Sequence, residues 1–94
     1  MSVIQIQRSH QLSQKEAHAL ADELARDLAE RFGVRWHWRG DTLEFSGRGV
    51  KGSLALPEGR LSLIMELGLM FRPFRSRVEQ SINRHLDEAL GPEV

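Results

Sequence analysis

Four histidines, His10, His18, His37 and His85, are the side chains of this chain best suited to acid–base or metal chemistry. An imidazole titrates near neutral pH and binds metals through either ring nitrogen. A helical zinc site would place two histidines four residues apart with a glutamate between them. No histidine pair here has that spacing. His18 and Asp22 are four apart and could reach a common ion, but two ligands make a weak site, and a solvated pair is the simpler reading. His85 borders an apolar stripe, which suits a half-buried imidazole bonded to a neighbour. The chain has no cysteine, which excludes disulfides, thiolate nucleophiles and cysteine-ligated zinc. The serines lack the context of a nucleophile elbow. No catalytic residue, no metal ligand and no cofactor are therefore expected. A pocket converging on His10 or His85 with a carboxylate would reopen the case for a small hydrolase or isomerase.

Gly47-Arg48-Gly49-Val50-Lys51-Gly52 fits the pattern G-x-G-x-x-G. Its dinucleotide-binding meaning requires a strand before and a helix after. Ser53-Leu54-Ala55-Leu56-Pro57 follows instead and is strand-like, so a turn with a bulge is expected. Trp36 and Trp38 share a strand face, as an aromatic platform for single-stranded nucleic acid would. That face is also the apolar one offered to the helices, so core packing is the stronger expectation. Thirteen basic and thirteen acidic side chains cancel, which argues against a general nucleic-acid partner.

The stretch Leu69-Met70-Phe71-Arg72-Pro73-Phe74-Arg75 is the most suggestive. It is dense in large apolar groups, yet a turn has limited room to bury them. Arg72, Arg75 and Arg77 flank it. Apolar groups beside arginines suit a lipid-covered or partner surface, and Leu69, Met70, Phe71, Arg72, Phe74 and Arg75 form the candidate interaction surface. The competing reading is that Leu69, Phe71 and Phe74 close the end of the core.

The elements that position these residues follow from periodicity. Val3 to Arg8 alternates and reads as a strand. Ser13-Gln14-Lys15-Glu16 matches a capping box, and a helix follows with the stripe Ala17, Leu20, Ala21, Leu24, Leu28 and Phe32. Gly33 is placed to end it. Val34 to Arg39 and Thr42 to Phe45 alternate on either side of Gly40-Asp41, the signature of a tight hairpin. Val50, Leu54 and Leu56 continue the pattern, and Pro57-Glu58-Gly59 makes a further turn. Leu61, Leu63, Met65, Leu67 and Leu69 alternate in the last strand. A closing helix carries Phe74, Val78, Ile82, Leu86 and Ala89 on one side and ends near Leu90, before Gly91 and Pro92.

The expected fold is a single α+β domain over residues 1–94. Its order is β-α-β-β-β-β-α, a two-layer sandwich with a mostly antiparallel five-stranded sheet and both helices on one face. The first strand could pair beside the last strand or beside the second, and the last is favoured. On the first helix Glu16, Glu23, Asp27 and Glu30 form an acidic flank, and Arg77 and Arg84 share a flank of the second, so the two are expected to meet. No basic-plus-apolar leader opens the chain, and no apolar run approaches the ~20 residues of a membrane span. With the missing cysteines, this fits a cytoplasmic protein. A homodimer through an exposed strand edge, or through the outer sheet face around Ala55 and Ile64, is compatible with the pattern.

Taken together, the segments resemble the polyhydroxyalkanoic acid system proteins, a small bacterial family. The resemblance rests on Ile4-x-Ile6-x-Arg8-x-His10-x-Leu12 and on Gly33-Val34-Arg35-Trp36-x-Trp38-x-Gly40-Asp41-x-Leu43-x-Phe45. Gly49-Val50-x-Gly52, Leu67-Gly68 leading to Pro73-Phe74, and Glu79-x-x-Ile82-x-x-x-Leu86-Asp87 complete it. The resemblance implies a cytoplasmic protein of the polyester-storage system, with the polyhydroxyalkanoate granule surface or granule proteins as partners. It brings no catalytic residues. The leading expectation is a non-enzymatic binding or regulatory protein; the alternative is a small apolar-ligand binder of minimal helix-grip type.

Overall fold

The computed structural model describes residues 2–91. Its elements run in the expected order: β1 (Ser2–Ser9), α1 (Gln14–Phe32), β2 (Arg35–Arg39), β3 (Thr42–Gly47), β4 (Val50–Ala55), β5 (Arg60–Leu67) and α2 (Arg75–Leu90). A short 3-10 turn, Arg72–Phe74, precedes α2. The five strands form one sheet in the order β1-β5-β4-β3-β2, every neighbouring pair antiparallel. The fold is thus α+β, with β1 beside β5, the favoured of the two pairings left open by the sequence.

Alternation decides which side of each strand is covered. Ile4, Ile6, Leu43, Phe45, Leu54, Leu61, Leu63, Met65 and Leu67 all point to the buried side, where the inward stripes of both helices join them in one core. The opposite face is a polar grid. Cross-strand rows read Val3-Glu66-Lys51-Ser46-Arg35, then Gln5-Ile64-Ser53-Glu44-His37, then Gln7-Ser62-Ala55-Thr42-Arg39.

Helix α1 begins where its cap dictates. The Ser13 hydroxyl accepts the Glu16 N–H at 3.1 Å, and Glu16 Oε1 accepts the Ser13 N–H at 3.0 Å. Such a cap is worth about 1 kcal/mol. Gln14 ties this end to the sheet by donating to the Leu56 carbonyl at 2.8 Å. Gly33, at φ 70°, ends the helix as a left-handed cap. Ala17, Ala21 and Ala25 lie in the buried stripe and let the helix approach the sheet closely, whereas Phe32, beyond the last buried turn, is only half covered.

Three expectations need correction. First, β5 ends at Leu67, not at Leu69. The Gly68 N–H bonds to the Gly49 carbonyl at 2.7 Å, and Gly68 in turn accepts the Phe71 N–H, so the chain folds away before Leu69. Second, the β3–β4 hairpin has no bulge. Its register runs unbroken from Thr42↔Ala55 to Gly47↔Val50 around a two-residue turn. Gly52 instead allows β4 to approach β5, because a Cβ there would lie 2.5 Å from the Ile64 carbonyl oxygen. Third, Phe74 belongs to the 3-10 turn and stands outside the buried stripe of α2, which is Val78, Ser81, Ile82 and Leu86. Ala89 is exposed. Pro92, expected to follow the helix end, lies outside the described residues.

Helix α2 runs alongside β1 and in the same direction. At its start Arg75 donates to the Val3 carbonyl at 3.1 Å. At its end Arg8 donates to Asp87 at 2.8 Å, to Asn83 at 3.3 Å and to the Gly91 carbonyl at 3.4 Å. Helix α1 lies against α2, and His85 Nε2 stands 3.2 Å from Asp27 Oδ2 between them.

Candidate functional site

The joint between β5 and α2 divides into outward and inward residues. Leu69 and Met70 form the turn and are each 75% exposed, the most exposed large apolar side chains among the described residues. Arg72 is exposed beside them, and Phe74 is 41% exposed. Phe71 turns inward: it packs on the core, its ring lies against Gly49, and it meets Phe74 edge-on at 6.0 Å. Arg75 is committed to the Val3 carbonyl, with Glu79 3.8 Å away. The six candidate residues therefore stay neighbours but serve two purposes. Leu69, Met70, Arg72 and Phe74 face outward, while Phe71 and Arg75 hold the joint in place. Of the three residues that would close the core, only Phe71 does so.

Register places more of the chain at this end. Ser2, Leu67, Val50 and Gly47 form the same margin of the sheet, and a Cβ on Gly47 would touch Val34, just past the end of α1. The C-terminal turn of α1 and the first turn of α2 therefore meet here. Arg72 and Arg75 flank the exposed turn, Arg77 follows in the first turn of α2, and Arg48 lies in the β3–β4 turn beside Gly49, whose carbonyl accepts the Gly68 N–H. Val3, half exposed on the outer face, adds to the apolar surface.

The other candidates resolve into packing. His18 and Asp22 do not converge on an ion. The His18 ring stacks on Trp38 at 4.4 Å with Asp41 3.4 Å from Nε2, and Asp22 accepts the Trp38 indole N–H at 2.9 Å. Trp36 and Trp38 pack against the core beneath α1. His37 pairs with Glu44 across the hairpin at 3.0 Å, on the polar face. His10 Nδ1 accepts the Leu12 N–H at 3.1 Å, so this imidazole shapes the loop into α1. Among the described residues no three His, Asp or Glu side chains are placed to hold a metal.

Asp27 lies between the two helices with a partner on each. It accepts from Arg31 Nε at 2.8 Å and faces His85. Burial pushes its carboxyl up, but the hydrogen bonds and charges of Arg31 and His85 outweigh this and hold it below the ordinary carboxylate value. The pair joins the two helices. The acidic flank of α1 does not otherwise reach Arg77 and Arg84: Glu16, Glu23 and Glu30 are exposed, and neither arginine forms an ion pair among the described residues. The buried Arg8, with Asp87, was missed as a structural pair because nothing local in the sequence links a first strand to a last helix.

Among the described residues no helix is long and apolar enough to cross a membrane. A family model described as "Putative polyhydroxyalkanoic acid system protein" matches residues 4–90. Searches of curated proteins and of solved structures gave no match. The matched span contains every strand beyond its first residues, both helices and the exposed joint. This chain belongs to the polyhydroxyalkanoic acid system protein family.

Proposed function

We propose that this protein is a non-enzymatic binding and regulatory component of the polyester-storage system, attaching to the granule surface through the joint end. The observation that carries this is the exposure of Leu69 and Met70 beside Arg72 on a turn braced from within by Phe71 and Arg75. Burying two such side chains in an apolar surface gains about 1.5–3 kcal/mol each. The arginines around them favour an anionic boundary. Family membership supplies the setting, and the geometry supports the contact.

An enclosed apolar-ligand site is less well supported. The space between sheet and helices is filled by Phe45, Leu24, Leu28, Leu54 and Met65, each essentially buried. A catalytic site is also less well supported, because His10 faces no carboxylate in its hydrogen bonds and the His85–Asp27 pair serves as a helix contact.

The test is a fluorescent fusion in a polyester-accumulating host, imaged with and without polymer. Rings around granules that disappear without polymer are expected. Diffuse fluorescence under both conditions would refute surface attachment.

A further inference from the structure

A groove of about 640 Å³ opens between the last turn of α1 and the first half of α2. Arg31, Phe32, Arg77, Gln80, Ser81 and Arg84 line it. Three of the lining side chains are arginines, and none of the described lining residues is a carboxylate. Asp27 holds Arg31 by Nε alone, which leaves the rest of its fork to donate elsewhere. Arg77 and Arg84 stand about two helical turns apart on one side of α2, with no ion pair among the described residues. Arg31 already has Asp27 as its counter-charge, so Arg77 and Arg84 are the lining cations without an ion pair among the described residues, and an anion in the groove would meet their guanidinium groups. Guanidinium forks match phosphate oxygens in shape and charge. The half-buried Phe32 ring gives the groove an apolar wall.

We infer that this groove takes the phosphate of an anionic phospholipid headgroup. Phe74 precedes Arg77 by less than one turn of chain, so groove and apolar joint adjoin. The joint would enter the apolar layer while the arginines hold phosphates at its boundary. A lipid is favoured over a soluble phosphate because the groove is open and the exposed Phe74, at the end of the joint, lies less than one turn before Arg77. The inference rests on the joint being a surface anchor.

The test uses the full chain with vesicles of phosphatidylcholine, with and without phosphatidylglycerol. The double variant Arg77→Gln/Arg84→Gln is expected to lose about 30-fold in partitioning onto the anionic vesicles, with binding to neutral ones unchanged. Both arginines are exposed, and circular dichroism checks that the variant folds. The variant Leu69→Ser/Met70→Ser is expected to lose binding to both vesicle types. If only the arginine variant binds like the wild type, the groove assignment falls and the anchor stands. If the joint variant binds like the wild type, the anchor itself falls. Glycerol 3-phosphate shifting the Gln80 and Ser81 amide resonances where anionic vesicles do not bind would overturn the lipid assignment in favour of a soluble ligand.

Discussion

Arg8, buried near the end of β1, donates to Asp87, near the end of α2, at 2.8 Å across 79 residues of chain. This bond and the one from Arg75 to Val3 fasten α2 along β1 at two points. A cation with so little exposure is stable only while its donors are engaged.

Removing the Asp87 carboxylate should therefore destabilise the fold. Asp87→Ala is expected to cost about 1.5–3 kcal/mol, the range for a hydrogen bond to a charged group. Urea unfolding of wild type, Asp87→Ala, Arg8→Met and the double variant gives the coupling. The double variant should cost clearly less than the sum of the singles.

Gly52 should tolerate no side chain. A Cβ would stand 2.5 Å from a backbone oxygen of β5, which cannot swing away. Gly52→Ala should cost about 1–3 kcal/mol, read as a lower denaturation midpoint.

Asp27 makes part of the stability depend on pH. Its folded carboxyl sits below the ordinary value, so it binds a proton less readily folded than unfolded. Its contribution is full above the unfolded pKa, about 4, and is lost as pH falls through the folded value. Urea midpoints measured from neutral pH downward should fall more for wild type than for Asp27→Asn. Equal slopes would contradict this.

Leu69 and Phe71, two residues apart, should respond differently to the same change. Leu69→Asp should alter stability by less than about 0.5 kcal/mol, as for other exposed positions. Phe71→Asp should destabilise the joint, because its ring packs on the core and on Gly49. Thermal unfolding of the two variants separates anchor from brace.

Local signals carried most of the fold. The capping box at Ser13 and Glu16, the left-handed end at Gly33 and the Gly40-Asp41 hairpin need only a few neighbouring residues, and all form as their chemistry dictates. Periodicity overran where tertiary contacts intervene. Leu69 continues the alternation of β5, but the Gly68–Gly49 bond ends the strand first. Phe74 lies four residues before Val78, yet the 3-10 turn at Pro73 rotates it out. The apolar–basic character of the joint was legible from composition. Which of its residues face outward was not, since that depends on Gly49 and Val3, brought in from distant strands. The arginine groove was hidden for a similar reason: Arg31 comes from a helix whose acidic flank suggested attraction between the helices instead.

The most direct test of surface attachment is cosedimentation of the purified protein with isolated polyester granules, wild type beside Leu69→Asp/Met70→Asp. Wild type should pellet with the granules and the variant should stay in the supernatant, with the two melting at closely similar temperatures. A variant that pellets as fully as wild type would contradict attachment through the exposed turn.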